Sequence, residues 1–170
     1  MDLFLVRHAR AVPRDAGAVV AARVSAREWN AARALTPRGH AQLRRMVRGL
    51  DRLGVSFDRL YHSAKLRSIE TANGLAELLD DDGETVTTER LSAPPGEALF
   101  AEISGDRVAL VGHEPHLGAL VGLLVAKGAD VTLDMKPSGV VWLRGELRLG
   151  GMHVRAVLPP RVLRALARRA

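Results

Sequence analysis

The chain opens on an unbroken apolar run, Leu3-Phe4-Leu5-Val6, that stops at Arg7-His8. Consecutive apolar residues without alternation predict a short strand buried on both faces. Residues 13–35, rich in Ala and Arg and of weak periodicity around Trp29, read as a long loop with a helical turn or two. Thr36-Pro37 then supplies an N-cap and a proline at the first helical position. Leu43, Met46, Val47 and Leu50 recur at helical spacing, so an amphipathic helix is expected to close near Gly54. Phe57 to Tyr61 reads as a second strand, and Ser63 is placed to cap a helix carrying Ile69, Ala72, Leu75, Ala76 and Leu79. The acidic run Asp80-Asp81-Asp82-Gly83 reads as a turn and Thr85 to Thr88 as an outer strand. Pro94-Pro95-Gly96 opens a short helix to Ile103, Val108 to Val111 is another buried strand ending in Gly112-His113, and a helix runs through Leu117 to Val125. Gly139 to Leu149 and Met152 to Leu158 alternate as a hairpin turning at Gly150-Gly151, and a basic helix over about 159–170 ends the chain.

Strands alternating with helices predict an α/β fold, a three-layer sandwich with a mostly parallel sheet and helices on both faces. The length, 170 residues, fits one domain spanning 1–170, with no repeat and no linker. Ligands of such folds sit beyond the carboxyl ends of the strands. Three polar clusters fall there: Arg7-His8, His62-Ser63 with Arg67, and His113.

Composition narrows the classes. Hydrophobic residues at 47% and charged residues at 26% exclude a disordered or collagenous chain, and no apolar run approaches a membrane span. The amino terminus lacks the pattern of a signal peptide, so the cytoplasm is the expected compartment. Zero cysteines exclude disulfides, thiol chemistry and zinc–thiolate sites. The net charge of +6 is concentrated at the end: residues 144–170 hold seven Arg against the single acid Glu146, and the rest of the chain is balanced. That tail reads first as a solvated basic end, with an acidic partner surface or anionic substrate as the alternative. Only six aromatics and no stacking motif argue against nucleic acid, whose binding would weaken steeply with salt.

Arg7 and Arg67 offer forked donors matched to phosphate oxygens, and His8 and His113 bring a nucleophile and a further donor. Nearby guanidinium charge disfavours the imidazolium, which keeps a histidine nucleophilic at neutral pH. A phosphoryl site of this kind needs no metal, because charge on the equatorial oxygens is met by the arginines. His113-Glu114-Pro115-His116 is one residue short of a zinc-protease motif and is broken by proline, so no metal and no cofactor are expected. His62 and His40 read as local hydrogen-bonding or exposed residues, and Lys136 and Ser138 as possible substrate contacts ahead of the hairpin.

Four fragments in order, Leu5-Val6-Arg7-His8-Ala9, Leu35-Thr36-Pro37-Arg38-Gly39, Ser63-Ala64-Lys65-Leu66-Arg67-Ser68-Ile69-Glu70-Thr71-Ala72 and Val111-Gly112-His113-Glu114-Pro115, resemble the signature of the histidine phosphatase superfamily, whose fold is phosphoglycerate mutase-like. The short chain resembles most the SixA branch, small bacterial protein phosphohistidine phosphatases. The resemblance implies that His8 is the phosphorylated nucleophile, that Arg7 and Arg67 bind the phosphate, and that His113 completes the pocket. It also implies, as partner, a protein carrying phosphohistidine. The alternatives are a phosphatase of small phosphoesters or phosphoanhydrides, and a non-catalytic phosphate-binding module.

Two departures matter. Ala9 stands where the family usually has Gly, and an ordinary negative φ is expected there. Larger members carry a carboxylic acid soon after the third strand, to protonate an alcohol leaving group. Here that stretch reads Leu91-Ser92-Ala93-Pro94, and no acid aligns. Imidazole leaves more readily than an alkoxide, so this favours P–N over P–O substrates. Glu97 and Glu114 remain the carboxylates that could reach the site, with Ser63 a further secondary candidate. The stretch between Val12 and Leu35, longer than in compact SixA proteins, is a candidate cover or partner-binding segment.

Overall fold

The computed structural model describes residues 1–16, 24–127, 131 and 133–168. Six strands, β1 (Asp2–Arg7), β2 (Phe57–His62), β3 (Leu79–Thr87), β4 (Arg107–Gly112), β5 (Val140–Gly145) and β6 (Met152–Leu158), form one sheet in the order β3-β2-β4-β1-β5-β6. The first four are mutually parallel and the last two run antiparallel. The helices are α1 (Ala26–Ala32), α2 (Pro37–Asp51), α3 (Leu66–Leu75), α4 (Glu97–Phe100), α5 (His116–Ala126) and α6 (Pro160–Leu166).

Side-chain alternation along β1 explains the layers. Phe4 and Val6 join Leu43, Met46 and Leu50 of α2, Leu75 of α3 and Leu163 of α6 in one core. Leu3 and Leu5 join Leu99 of α4 and Leu117, Leu120 and Leu124 of α5 in the other. The unbroken apolar run at the amino terminus is therefore the run of a strand covered on both sides, as its pattern predicts. No helix among the described residues is long and apolar enough to cross a membrane.

Thr36 Oγ1 accepts from Gly39 N–H at 3.0 Å and Pro37 occupies the first turn, so α2 starts where the sequence places it. Gly39 is needed for a different reason: a Cβ there would collide with the backbone carbonyl of Arg10, two residues beyond His8. Alanine normally gains about 1 kcal/mol over glycine in a helix. Gly39→Ala is expected instead to lose about 1–3 kcal/mol by overpacking and to displace the Arg7–Arg10 segment. Denaturant unfolding of the variant checks this, and a gain in stability would contradict it.

Several expectations are corrected. Asp80–Gly83 is not a free turn but part of β3: Leu79 pairs with Phe57 and Glu84 with Arg59, so the extra residues bulge out of the ladder. β5 ends at Gly145, so Gly150-Gly151 closes a longer connection than the expected tight hairpin. The cap position of α3 is Lys65, and Ser63 does not cap. Within 13–35 the helical turns are α1, and residues 17–23 lie outside the described residues, as do 169–170 of the expected terminal helix.

Parallel pairing places the ends of β2, β4 and β1 side by side. Arg7 registers with Gly112 and His62 with Val111. His8 N–H donates to Gly112 O at 3.1 Å and Ser63 N–H to Val111 O at 3.3 Å, which carries the alignment just past the strands.

Candidate active site

Beyond these ends lies a cavity of about 290 Å³ whose lining includes Arg7, His8, Arg67 and His113. The four side chains singled out in the sequence thus meet at one place. Arg67 Nε donates to His8 Nε2 at 3.1 Å, and the two imidazole centroids are 5.0 Å apart.

The tautomer of His8 follows from its partner. His8 Nδ1 lies 2.7 Å from Ala9 O, an acceptor only, so Nδ1 carries the proton and Nε2 keeps its lone pair. His113 Nε2 lies 2.6 Å from Ser63 Oγ and 3.4 Å from Ser68 Oγ, while its Nδ1 is buried without a partner. With Ser63 O–H donating to Nε2, the Nδ1–H is left free to donate to a ligand. Ser63, fully buried, is therefore a support for His113 and not a helix cap.

Arg67 is 2% exposed, and its Nη1 donates to Asn30 O at 2.6 Å. Arg7 Nη1 donates to Met135 O and lies 4.0 Å from Asp134 Oδ1, and its Nε is buried without a partner. Glu114 supports that arrangement: its carboxylate accepts from Met135 N–H at 3.2 Å and Gly118 N–H at 3.3 Å. Ala9 has the expected negative φ, and its N–H donates to Thr71 Oγ1 at 3.0 Å.

Among the described residues lining the cavity, Glu114 is the one acid. Glu97 sits exposed on α4 and does not line it. Neither Lys136 nor Ser138 lines it; Lys136 pairs with Asp134 at 2.5 Å. His62 bonds locally, to Ser63 O at 3.0 Å and Thr87 Oγ1 at 3.3 Å. The sequence reading missed Arg10, Arg14 and Arg33, which line the cavity as well. Their signal was the recurrence of Arg at 7, 10 and 14 just after a strand, and Arg33 just ahead of the Leu35–Gly39 fragment. The described part of the long loop is thereby tied to the site: Arg33 donates to Val12 O and Asn30 Oδ1, and Trp29 Nε1 donates to Arg14 O.

Burial chiefly, then Arg67, Arg7 and Arg33, holds the His8 pKa down at about 3, against the raising effect of its bond to Ala9 O. Burial, then Arg67, His8, Lys65 and His116, holds His113 at about 2. Both rings are neutral at pH 7. An unfolded histidine titrates near 6.5, so as pH falls below that value the unfolded chain takes up protons that the folded one refuses, and stability is lost. Between pH 6.5 and 5.5 the two histidines are expected to lower the unfolding free energy by about 1–3 kcal/mol. Denaturant titrations at pH 7.5, 6.5 and 5.5 check this; a flat response would show that the rings protonate freely in the folded protein.

A family model, Histidine phosphatase superfamily (branch 1), matches residues 3–93. No curated protein sequence matches the chain. Among solved structures, the protein histidine phosphatase SixA complexed with tungstate is similar at 21% identity and a TM-score of 0.73, covering 96% of this chain and 99% of that one. The alpha-ribazole phosphatase from Shigella flexneri is similar at 17% identity and 0.67, covering 94% and 97%. Phosphoserine phosphatase from Entamoeba histolytica, in complex with 3-phosphoglyceric acid, is similar at 14% identity and 0.64, covering 95% and 98%. At these identities the likeness shows the fold.

Proposed function

Because the chain belongs to the histidine phosphatase superfamily, we propose that it is a metal-independent phosphatase working through phospho-His8, with phosphohistidine on a partner protein as its preferred substrate. The observation that carries this reading is the convergence of two neutral imidazoles and two guanidinium groups on one cavity.

The arriving phosphoryl group offers Arg67 anionic oxygens, stronger acceptors than an imidazole nitrogen, and so draws its Nε–H from His8 Nε2. The freed lone pair attacks phosphorus. The Nε2–P bond forms as the bond from phosphorus to the substrate imidazole breaks, and that ring, which already carries a proton on its other nitrogen, takes the electron pair and leaves as neutral imidazole. Arg7, Arg67 and the free Nδ1–H of His113 hold the equatorial oxygens, where charge spreads in a loose transition state. Water then attacks phospho-His8, inorganic phosphate departs, and His8 regains its lone pair.

The leaving group decides the substrate class. Both carboxylate oxygens of Glu114 already accept backbone N–H groups, which ties the side chain to the backbone of Met135 and Gly118. A substrate whose leaving group needs little protonation suits such a site. A second reading, a small phosphoester as substrate, is favoured by the position of Glu114 in the lining.

Rates for a phosphohistidine peptide against phosphoserine, sugar phosphates and a phosphoanhydride, all with chelator present, test the proposal. The phosphohistidine peptide is expected to turn over at least about tenfold faster than any ester, as the leaving-group argument requires. A phosphoester turned over faster would establish the second reading. Loss of all activity in chelator would overturn the metal-free mechanism.

A further inference from the structure

A second basic cavity lies apart from the candidate active site, between α2 and α6. It measures about 120 Å³, and its lining includes Arg38, Gln42, Arg45, Ser138, Arg161 and Arg164, with no acidic residue among the described residues. Among the described residues, none of these four arginines makes an ion pair or a side-chain hydrogen bond to the protein. Two buried polar atoms in the same lining, Gln42 Oε1 and Ser138 Oγ, also have no partner. Ser138 is 1% exposed and takes a left-handed φ of 63°, uncommon for a residue with a side chain.

We propose that this cavity is a non-catalytic binding site for one tetrahedral oxyanion of the phosphate type. Buried polar groups in native proteins are nearly always paired, so two orphans in one cavity call for an occupant. Water would satisfy the hydroxyl and the amide but leaves the charge of four exposed arginines around the cavity uncompensated. An oxyanion does both, accepting from Ser138 O–H, from the guanidinium groups, and from the Gln42 amide turned by 180° to present its N–H groups. The cavity is built to hold its shape. A Cβ on Gly49 of α2 would run into the backbone of Leu163 in α6, so the two helices are in close contact there. Leu163 and Met46 are each 1% exposed.

The terminal arginines, read from sequence as a solvated end, thus acquire a partner-facing role that needs no nucleic acid. The site also adjoins the nucleophile segment. Ser138 N–H donates to Arg7 O at 3.1 Å and His8 O at 3.3 Å, and Arg7 N–H donates to Gly139 O at 3.1 Å.

Equilibrium dialysis of the full chain against labelled inorganic phosphate, at ionic strength held constant with potassium chloride, tests the proposal independently of any phosphatase activity. The parent is expected to bind two equivalents. Arg45→Ala combined with Arg164→Ala is expected to weaken one of them at least tenfold, and Ser138→Ala severalfold. Arg67→Met is expected to remove the other equivalent and keep this one. In that variant, phosphate is expected to shift the amide resonance of Ser138 and the side-chain amide of Gln42, a readout that does not depend on the pocket variants folding. Glycerol phosphate competing as well as phosphate identifies a phosphorylated molecule as the source, and competition by phosphate alone identifies the free ion; either supports the site. A single equivalent in the parent, two equivalents undiminished in the Arg45/Arg164 variant, or occupancy by a phosphopeptide with no response to phosphate would overturn it.

Discussion

Replacing His8 with alanine is expected to lower turnover by about 10⁴-fold or more, since removing a nucleophile deletes the covalent route and not merely one contact. So large an effect follows from how the ring is held. Its Nδ1–H is committed to Ala9 O, which directs the only free lone pair to Nε2, and burial with three nearby arginines keeps that nitrogen unprotonated far below neutral pH. Among the described residues lining the cavity the other imidazole is His113, whose Nε2 is engaged by Ser63 Oγ at 2.6 Å. Phosphate binding should survive, because Arg7 and Arg67 remain. Inhibition by inorganic phosphate is therefore expected to change by less than about tenfold while kcat collapses, the pattern of an interaction made only in the transition state. Steady-state kinetics with phosphate as competitor reads both quantities. A His8→Ala protein retaining more than a hundredth of parental kcat would rule out this nucleophile.

Arg67→Met is expected to divide activity from stability. Arg67 is buried, has no carboxylate partner among the described residues, and lies close enough to other arginines that its own pKa is lowered to about 10, by burial first and then by Arg33 and Arg14. Such a charge suits the phosphate ligand proposed for the cavity, and its solvation cost is not met by an ion pair among the described residues. Methionine of similar length removes that cost; isosteric replacement of buried charges is often neutral or stabilising by about 1–4 kcal/mol. The lost hydrogen bond to Asn30 O costs about 1 kcal/mol. The opposing effects leave stability within about 1–2 kcal/mol of the parent, on either side. Activity has no such compensation: removing a preorganised donor from the developing charge is expected to lower kcat/KM by about 10³-fold. Denaturant unfolding beside kinetics checks both halves. A variant destabilised by more than about 3 kcal/mol would mean that Arg67 is chiefly a structural group, since that is the cost of breaking a paired buried charge.

Most of this arrangement was legible in the sequence because the chemistry and the packing are written into the same fragments. In the Ser63–Ala72 segment nearly every polar residue holds another fragment. Ser63 and Ser68 reach His113, Arg67 reaches His8, Thr71 Oγ1 accepts from Ala9 N–H, and Glu70 Oε2 accepts from Leu35 N–H at 2.6 Å. A match to four ordered fragments is thus a match to one interlocked object, and the strand ends that carry them follow from unbroken apolar runs. Ser63 shows where local reasoning fails. A serine just ahead of a helix reads as a cap, and only the tertiary approach of His113 diverts its hydroxyl. Asp80–Gly83 fails for a related reason, since three acids and a glycine have turn chemistry but the edge of the sheet keeps the segment within β3. Arg10, Arg14 and Arg33 could not be separated from the chain's many other arginines by pattern alone, because nothing in residue type distinguishes a guanidinium facing a cavity from one facing water.

Trapping the phosphoenzyme tests whether His8 is the nucleophile. The chain is mixed with a labelled phosphohistidine peptide, quenched in alkali within the first turnover, digested, and mapped. Label is expected on the peptide containing His8, attached at Nε2, stable in base and lost in acid, and absent from His8→Ala. Label on any other residue, or equal labelling of His8→Ala, would contradict it.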